Sequence, residues 1–264
     1  NLMIAILSEC GLSQERIRLE EERKKDALRT QKERLQSNLL RAVSHDLRTP
    51  LTNINGSAGI LMREEELLDT ETRKKLYTAI YDDTNWLINI TENLLTATQI
   101  EADRPTLRAE PELLEDLFQS AVQNLDRRSA DHHISVDLED DTLMVSVNAR
   151  LIQRVIINMM NNAIQYTPKG SNITLSGKRR GVRVQVCVTD DGPGIPDDAK
   201  KHLFDLFYTA EQGKADCQRG LGLGLNLCQS IVTLYGGTIT VSDNNPKGTR
   251  FQFTLPAVQP QRDR

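Results

Sequence analysis

Residues 44–51 read Ser-His-Asp-Leu-Arg-Thr-Pro-Leu, and the rest of the chain can be understood outward from this stretch. Apolar residues recur through it and beyond it every three or four positions, which predicts one continuous stripe along a helix. The stripe comprises Leu40, Val43, Leu47, Leu51, Ile54, Ala58 and Leu61. His45 falls off the stripe, so we expect its imidazole to face solvent. Pro50 lacks the N–H of a helical hydrogen bond, which predicts a kink just past the histidine.

Three polar side chains share the exposed side of this predicted helix. Asp46 is adjacent to His45, and Thr49 lies one turn further along the same face. A carboxylate beside an exposed histidine can hold the imidazole in the tautomer that leaves one ring nitrogen free to attack. A histidine considered alone is more often an ordinary solvated residue, so the chemical interpretation depends on the rest of the chain.

The composition of the 264-residue chain limits the classes of function to consider. Aromatic residues make up 4% and charged residues 27%, which suits a helical, partly elongated protein. The net charge of -4 disfavours nucleic-acid binding. The cysteines are Cys10, Cys187, Cys217 and Cys228. Their spacing does not match a zinc site or a redox dithiol, so we expect reduced cytosolic thiols.

The sequence has no apolar run of the roughly 18 residues that a membrane span needs, and no signal peptide is visible. We therefore expect this part of the protein to be cytoplasmic and to make no membrane contact. Because the chain begins with Asn1 rather than Met, we expect it to be a fragment of a longer protein, with any membrane anchor upstream.

The first hundred residues predict a connector followed by a helical hairpin. Residues 1–36 are expected to form this connector: residues 1–12 are a short apolar stretch. Residues 13–36 are rich in charged residues and Gln with a thin apolar seam, typical of a coiled-coil connector or of a solvated spacer helix. Residues 37–100 predict two antiparallel amphipathic helices. Two helices cannot enclose both of their apolar faces, whereas a four-helix bundle with a second copy can. We therefore expect a homodimer.

The second part of the chain changes character after a linker predicted at residues 101–112. Residues 113–258 predict a domain with a mixed sheet and helices on one face, followed by a polar tail at 259–264. Helices are expected at 113–124, 149–166 and 221–235, and strands at 134–138, 143–147, 173–178, 182–189, 238–242 and 250–255.

One candidate site in this domain is Asp190-Asp191-Gly192-Pro193-Gly194-Ile195, which directly follows a predicted strand. The glycines let the backbone approach a planar ligand closely. A buried carboxylate at the strand end can accept a hydrogen bond from an exocyclic amine such as that of adenine. Considered alone, the same residues are more often a simple turn.

A second glycine-rich stretch, Gly220-Leu221-Gly222-Leu223-Gly224-Leu225, opens a predicted helix and could present backbone N–H groups to phosphate. It matches neither the Walker pattern nor a Rossmann fingerprint. Residues 209–219 lack periodicity and predict a mobile lid over the phosphates. Gly236-Gly237 and Gly248-Thr249 are readily explained as turns.

Two amides, Asn158 and Asn162, lie four residues apart on one face of a predicted helix, among apolar neighbours and ahead of Tyr166. Amide side chains there are costly to bury unless a partner satisfies them. A Mg²⁺ ion bound with nucleotide phosphates would do so, because Mg²⁺ takes oxygen ligands.

Together these motifs resemble the sensor histidine kinases. Residues 44–51 are similar to the phosphoacceptor box of that family, and the longer stretch at residues 38–52 looks closest to the KdpD-type kinases. The further motifs follow in the family's order, namely Asn158, Asn162 and Tyr166, then Asp190, Gly192 and Gly194, then Phe204 and Phe207, then Gly220, Gly222 and Gly224. The resemblance covers about residues 31–256. It implies a dimerising phosphotransfer hairpin followed by a Bergerat-type α/β sandwich that binds ATP.

The resemblance also implies roles for single residues. ATP with Mg²⁺ would phosphorylate His45, and the phosphoryl group would pass to an aspartate in the receiver domain of a response regulator. Asp46 would be the general base, and Thr49 would position water for dephosphorylating the regulator. Asn162 would ligate Mg²⁺, and Asp190 would contact the adenine amino group. The other implied nucleotide contacts are Asn158, Tyr166, Gly192, Gly194, Ile195, Phe207, Gly220, Leu221, Gly222, Leu223, Gly224, Leu225 and Thr249.

Two departures from the family pattern keep alternatives open. Gln165 stands where the family usually has Lys or Arg, and Asn148 stands where an Asp often precedes the helix. Gln165 favours the alternative of a degenerate kinase that acts as a dimeric scaffold, or as a phosphatase through Thr49. A third possibility, an ATPase of the same nucleotide fold that performs conformational work, leaves residues 44–50 unexplained.

Overall fold

The computed structural model describes residues 23, 44, 47–63, 67–102, 108–206, 208 and 222–258. The predicted features outside these residues are His45, Asp46, Phe207, Gly220, Leu221, the lid at 209–219, the tail at 259–264 and all but Arg23 of the connector. The chain divides into two compact units, Asn1–Ile88 and Asn89–Arg264.

The first unit contains helix α1 (residues 47–63) and the larger part of helix α2 (Thr70–Ala102). Asp69 precedes α2, and its carboxylate accepts the backbone N–H of Thr72 at 2.6 Å, which caps the helix. Hydrogen bonds from Thr72 lower the pKa of Asp69. Both predicted helices are therefore present, and α2 starts close to the predicted Thr72. No helix of the described part is long and apolar enough to cross a membrane.

Large apolar side chains of the first unit face outward. Among its described residues only Pro50 and Leu61 are buried. The exposed ones are Leu51, Ile60, Met62, Leu67, Tyr77, Tyr81 and Ile88. This pattern agrees with the expectation that two helices alone cannot enclose their apolar faces.

The second unit is built on a five-stranded sheet with the order β2-β4-β5-β7-β6. Its strands are β2 (His133–Leu138), β4 (Asn172–Arg180), β5 (Arg183–Asp190), β6 (Ile239–Asp243) and β7 (Thr249–Pro256). Strand β2 pairs parallel to β4, and the other neighbours are antiparallel. A separate two-stranded sheet joins β1 (Glu110–Leu113) to β3 (Met144–Val147). The mixed sheet is therefore confirmed.

Helices pack against this sheet through amphipathic sequences. Those that contribute to the core are α3 (Leu114–Gln123), α4 (Ala149–Tyr166) and α6 (Gly224–Leu234). The unit also contains the short α5 (Asp197–Lys200) and a 3₁₀ turn at Arg127–Asp131. The buried residues of α4 are Leu151, Ile152, Val155, Ile156, Met159, Met160, Ala163 and Ile164. They share one core with strand residues such as Val186 and Phe253. Each large side chain buried there stabilises the fold by about 1.5–3 kcal/mol.

The structure corrects three details of the sequence prediction. Glu110 and Pro111, expected in the linker, belong to strand β1. Proline is tolerated because β1 has only one partner strand and pairs Pro111 with Ser146 at an edge. Strand β3 accordingly leaves the main sheet. Helix α6 begins at Gly224 rather than at 221, because Gly222 has a left-handed φ of 63° that a helix cannot contain.

Candidate functional site

Asp190 is the last residue of β5 and is only 5% exposed. Its Oδ1 accepts two backbone N–H groups, from Gly192 at 2.9 Å and from Thr249 at 3.1 Å. Burial raises the pKa of the Asp190 carboxyl, and these hydrogen bonds offset only part of that shift. Both N–H groups donate to Oδ1, so among the residues that the structure describes the backbone leaves Oδ2 to other donors. The predicted buried carboxylate at a strand end is therefore present.

Glycines permit the close packing around this carboxylate. A Cβ on Gly192 would lie 2.6 Å from Cγ2 of Thr167, the residue that follows α4. A Cβ on Gly248 would lie 2.0 Å from the carbonyl oxygen of Asp190. Gly248 and Thr249 therefore do more than form a turn, because they contact Asp190 directly. Gly194 has a φ of 80°, which suits glycine in this loop.

Helix α4 carries the predicted asparagines and begins at a firm cap. The side chain of Asn148 accepts the N–H of Leu151 at 3.3 Å, as an Asp at this position would. Its own N–H donates to the hydroxyl of Tyr235 at 3.0 Å. Asn148 therefore does not weaken the start of α4. At the other end of α4, Tyr166 is 55% exposed.

Asn158 lies against the start of α6. Its Nδ2 donates to Sγ of Cys228 at 3.8 Å, and a Cβ on Gly224 would lie 3.8 Å from the same nitrogen. Burial raises the pKa of Cys228 to about 12, so the thiol stays neutral. The structure thus brings together Asn158 and the glycine-rich stretch. Asn162, one turn along α4, is half-buried like Asn158.

The start of α6 suits an anion. Its N-cap residue, Leu223, has no side chain that can accept a hydrogen bond, so the first N–H groups of the helix have no capping side chain. Leu223 is buried and Leu225 packs on the core, which fixes this end of the helix. Backbone N–H groups at a helix N-terminus bind phosphate readily.

The predicted nucleotide residues therefore fall into two groups within one unit. Asp190, Gly192 and Thr249 meet near the end of α4, while Asn158 meets Gly224 near its middle. Ile195 is partly buried and packs on the core. Thr49 is exposed on α1 of the other unit. His45, Asp46, Phe207, Gly220 and Leu221 lie outside the described residues.

Three contacting residues carry no signal in the sequence. Thr167 packs against Gly192, Cys228 meets Asn158, and Nδ2 of Asn226 donates to the carbonyl oxygen of Phe204 at 2.9 Å. Each of these contacts joins positions far apart in the chain. Neither periodicity nor motif spacing could have paired them.

Two family models match the chain. One is described as the His Kinase A (phospho-acceptor) domain and matches residues 35–103. The other is described as the histidine kinase-, DNA gyrase B-, and HSP90-like ATPase and matches residues 147–259. The first match contains the stretch at 44–51, and the second contains the Asp190 loop and α6.

Curated proteins give the same picture. The chain is 37% identical to sensor protein KdpD of Clostridium acetobutylicum over 95% of its own length and 28% of that protein. It is 30% identical to the adaptive-response sensory kinase SasA of Crocosphaera subtropica, over 96% of the chain and 68% of the relative. The chain thus spans less than a third of the KdpD proteins that it matches.

Solved structures share the fold. Histidine kinase AdeS of Acinetobacter baumannii aligns with a TM-score of 0.59 at 24% identity, over 81% of this chain and 98% of that chain. Histidine kinase ThkA, solved in complex with response regulator protein TrrA, aligns with a TM-score of 0.60 at 26% identity. That alignment covers 82% of this chain and 60% of ThkA.

Proposed function

The chain belongs to the sensor histidine kinase family, and from this membership we propose that it transfers the γ-phosphoryl group of ATP to His45. The phosphoryl group then passes to an aspartate in the receiver domain of a response regulator. The observation that carries the proposal is the buried carboxylate of Asp190, which lies beside α4 in a chain that also contains residues 44–51.

The proposed nucleotide contacts follow from the chemistry of each group. Oδ2 of Asp190 accepts a hydrogen bond from the adenine amino group. The first N–H groups of α6 face the phosphates. Asn162 supplies an amide oxygen of the kind that Mg²⁺ takes, and Asn158 supports it from the preceding turn. When bound, the ion neutralises charge on the phosphates.

The proposed reaction needs little covalent chemistry from the protein. An imidazole nitrogen of His45 attacks the γ-phosphorus, an N–P bond forms, and the bond to the β,γ-bridging oxygen breaks. The electron pair leaves with ADP, while Asp46 holds the ring in the reactive tautomer and accepts its proton. Thr49, whose side chain is exposed on α1, positions water when the phosphorylated regulator is hydrolysed.

A homodimer is part of the proposal. The exposed apolar side chains of the first unit, such as Leu51 and Tyr77, support pairing with a second copy. We assign residues 37–100 to dimerisation and phosphotransfer, and residues 113–258 to ATP binding.

A second candidate function is a scaffold or phosphatase with weak kinase activity. Gln165 favours it, because an amide replaces a cation at the end of α4, next to Tyr166. In that case nucleotide would bind, but phosphohistidine would not accumulate.

In the direct test, the chain is incubated with γ-labelled ATP and Mg²⁺, and the stability of the bound label is then measured in acid and in alkali. A phosphohistidine is lost in acid and survives alkali. We expect label on the wild type and none on His45→Gln. His133→Gln changes an exposed histidine of β2 and serves as the matched control, with label retained. Label that persists on His45→Gln would contradict the proposal, and bound nucleotide without label would favour the second candidate.

A further inference from the structure

The turn between β6 and β7 lies against the final residue of β5. Nδ2 of Asn244 donates to the backbone carbonyl oxygen of Asp190 at 2.8 Å. The N–H of Asn244 donates to the carbonyl of Gly248 at 2.9 Å and closes the turn. Asn244 is not one of the proposed nucleotide contacts, yet its side chain binds the backbone of Asp190.

Asn244 takes the place of a missing pair in the sheet. The antiparallel pairing of β5 with β7 ends at Thr189 and Arg250, one residue before Asp190. Beyond that point the carboxylate of Asp190 accepts the N–H of Thr249, and Asn244 donates to the carbonyl of Asp190. Two side chains thus continue the pairing that two backbones would otherwise make. Together they fix both ends of Asp190 against the β6–β7 turn.

An ion pair anchors the turn at its start. Nζ of Lys200, on α5, lies 2.7 Å from Oδ1 of Asp197 and 2.6 Å from Oδ2 of Asp243. The Lys200 side chain is only 15% exposed, so its two ion pairs are partly shielded from water. Asp243 immediately precedes Asn244. The ion pair therefore connects the start of the turn to the helix that follows the Gly194 loop.

We propose that Asn244 is a positioning residue that aims the Asp190 carboxylate at an exocyclic amino group and thereby sets the preference of the site for adenine. The inference rests on the proposed function, in which Asp190 contacts the adenine amine. Without the amide of Asn244, the Asp190 carbonyl loses its donor and the peptide can rotate. The carboxylate then moves with it, and only a ligand with an amino group loses a hydrogen bond.

The test compares two nucleotides on the full chain in the presence of Mg²⁺. One is ATP, and the other is purine riboside triphosphate, which has hydrogen in place of the amino group. Dissociation constants are measured by calorimetry for the wild type, Asn244→Ala, and Asn244→Asp, which is nearly isosteric but cannot donate. Lys247→Ala changes an exposed residue of the same turn and is the matched control. Asp190→Asn defines the affinity ratio without amine recognition by the carboxylate.

We expect the wild type and Lys247→Ala to prefer ATP. Both Asn244 variants should lose about tenfold of that preference, with the affinity for the analogue changed less than about twofold. A parallel loss of both nucleotides at an unchanged ratio would overturn the inference, because it would reduce Asn244 to a structural residue. A wild type without preference would instead overturn the adenine role of Asp190 itself. If Asn244→Ala does not fold, Asn244→Asp gives the same ratio.

Discussion

Helices α1 and α4 are both amphipathic, yet they bury their apolar residues to opposite extents. In α4 the stripe from Leu151 to Ile164 is buried within its own unit, since the sheet supplies the opposing surface. In α1 Leu51 is 54% exposed and Met62 is 85% exposed. The nucleotide unit therefore encloses its own apolar core within one chain. The hairpin leaves apolar surface for another molecule.

The two candidate sites follow the same division. Asp190 is buried, and its carboxylate accepts two backbone N–H groups of its own unit. Thr49 is exposed on a helix that must present its face to changing partners under the proposed function. A buried site suits the constant ligand, ATP, and an exposed one suits the exchange of phosphoryl groups with separate proteins.

The largest expected effect comes from truncating a core residue of the nucleotide unit. Phe253 is fully buried in β7, so Phe253→Ala should lower the free energy of unfolding by about 3–5 kcal/mol. Tyr77→Ala removes an aromatic ring that is 54% exposed on α2 and should leave the nucleotide unit unchanged. Urea denaturation followed by circular dichroism, with bound nucleotide as a second probe, measures both. Equal losses in the two variants would contradict the division.

The second largest effect concerns the nucleotide site. Asp190→Asn replaces a carboxylate, which only accepts hydrogen bonds, with an amide. If the Nδ2 of the amide took the place of Oδ1, it would face the N–H groups of Gly192 and Thr249, and donor would meet donor. We expect ATP affinity to fall about 100-fold, equivalent to about 2.7 kcal/mol. Calorimetric titration with ATP and Mg²⁺ measures the loss. Sedimentation of the same variant should show unchanged oligomerisation, and a coupled loss of both would show that the units are not independent.

A third variant tests the hairpin alone. Leu51→Asp places a charge on the predicted apolar stripe and should weaken the homodimer by at least about tenfold, since a buried leucine contributes about 1.5–3 kcal/mol. Ile60→Asp is the matched control, because Ile60 is exposed on the same helix but lies on the side away from the stripe. Analytical ultracentrifugation across a concentration series gives both dissociation constants. Equal weakening by the two substitutions would exclude the stripe as the dimer face.

The smallest effect is a pH dependence of the nucleotide unit. The folded pKa of Asp190 is raised above 3.8, so the folded chain binds this proton more tightly than the unfolded chain does. The resulting stabilisation is present at low pH and is lost as pH rises through the folded pKa. The difference in free energy of unfolding between the wild type and Asp190→Asn should therefore decrease as the pH rises from 3.8 through the folded pKa of Asp190. Urea denaturation at a series of pH values measures it, and the opposite slope would contradict the burial argument.

Local patterns predicted the elements well. The apolar stripe and the Pro168 and Gly170 that follow it predicted α4 with the bounds that the structure shows. The hairpin of β4 and β5 was also expected, and Gly181 has a left-handed φ of 63° at its turn. Alternation, periodicity and breakers are all short-range signals, so they succeed where an element is defined by its own sequence.

Contacts between residues far apart in the sequence were not predicted. Pro111 looked like part of a linker because nothing near it indicates that β3 provides a partner strand. The hydrogen bond from Asn244 to Asp190 joins residues 54 positions apart, and asparagine in a turn is ordinary. Such contacts arise from tertiary packing, which no local pattern encodes. The roles of His45 and Asp46 stay predictions.

The parallel pairing of β2 with β4 has a consequence for the order of folding. Strands β4 and β5 are neighbours in the chain and can pair as soon as their turn closes. Strand β2 can pair with β4 only later, because β3 and the whole of α4 lie between the two strands in sequence. Closing this longer loop is slower and loses more conformational entropy. We expect β2 to join the sheet after the rate-limiting step, so that substitutions in it accelerate unfolding and leave the folding rate nearly constant.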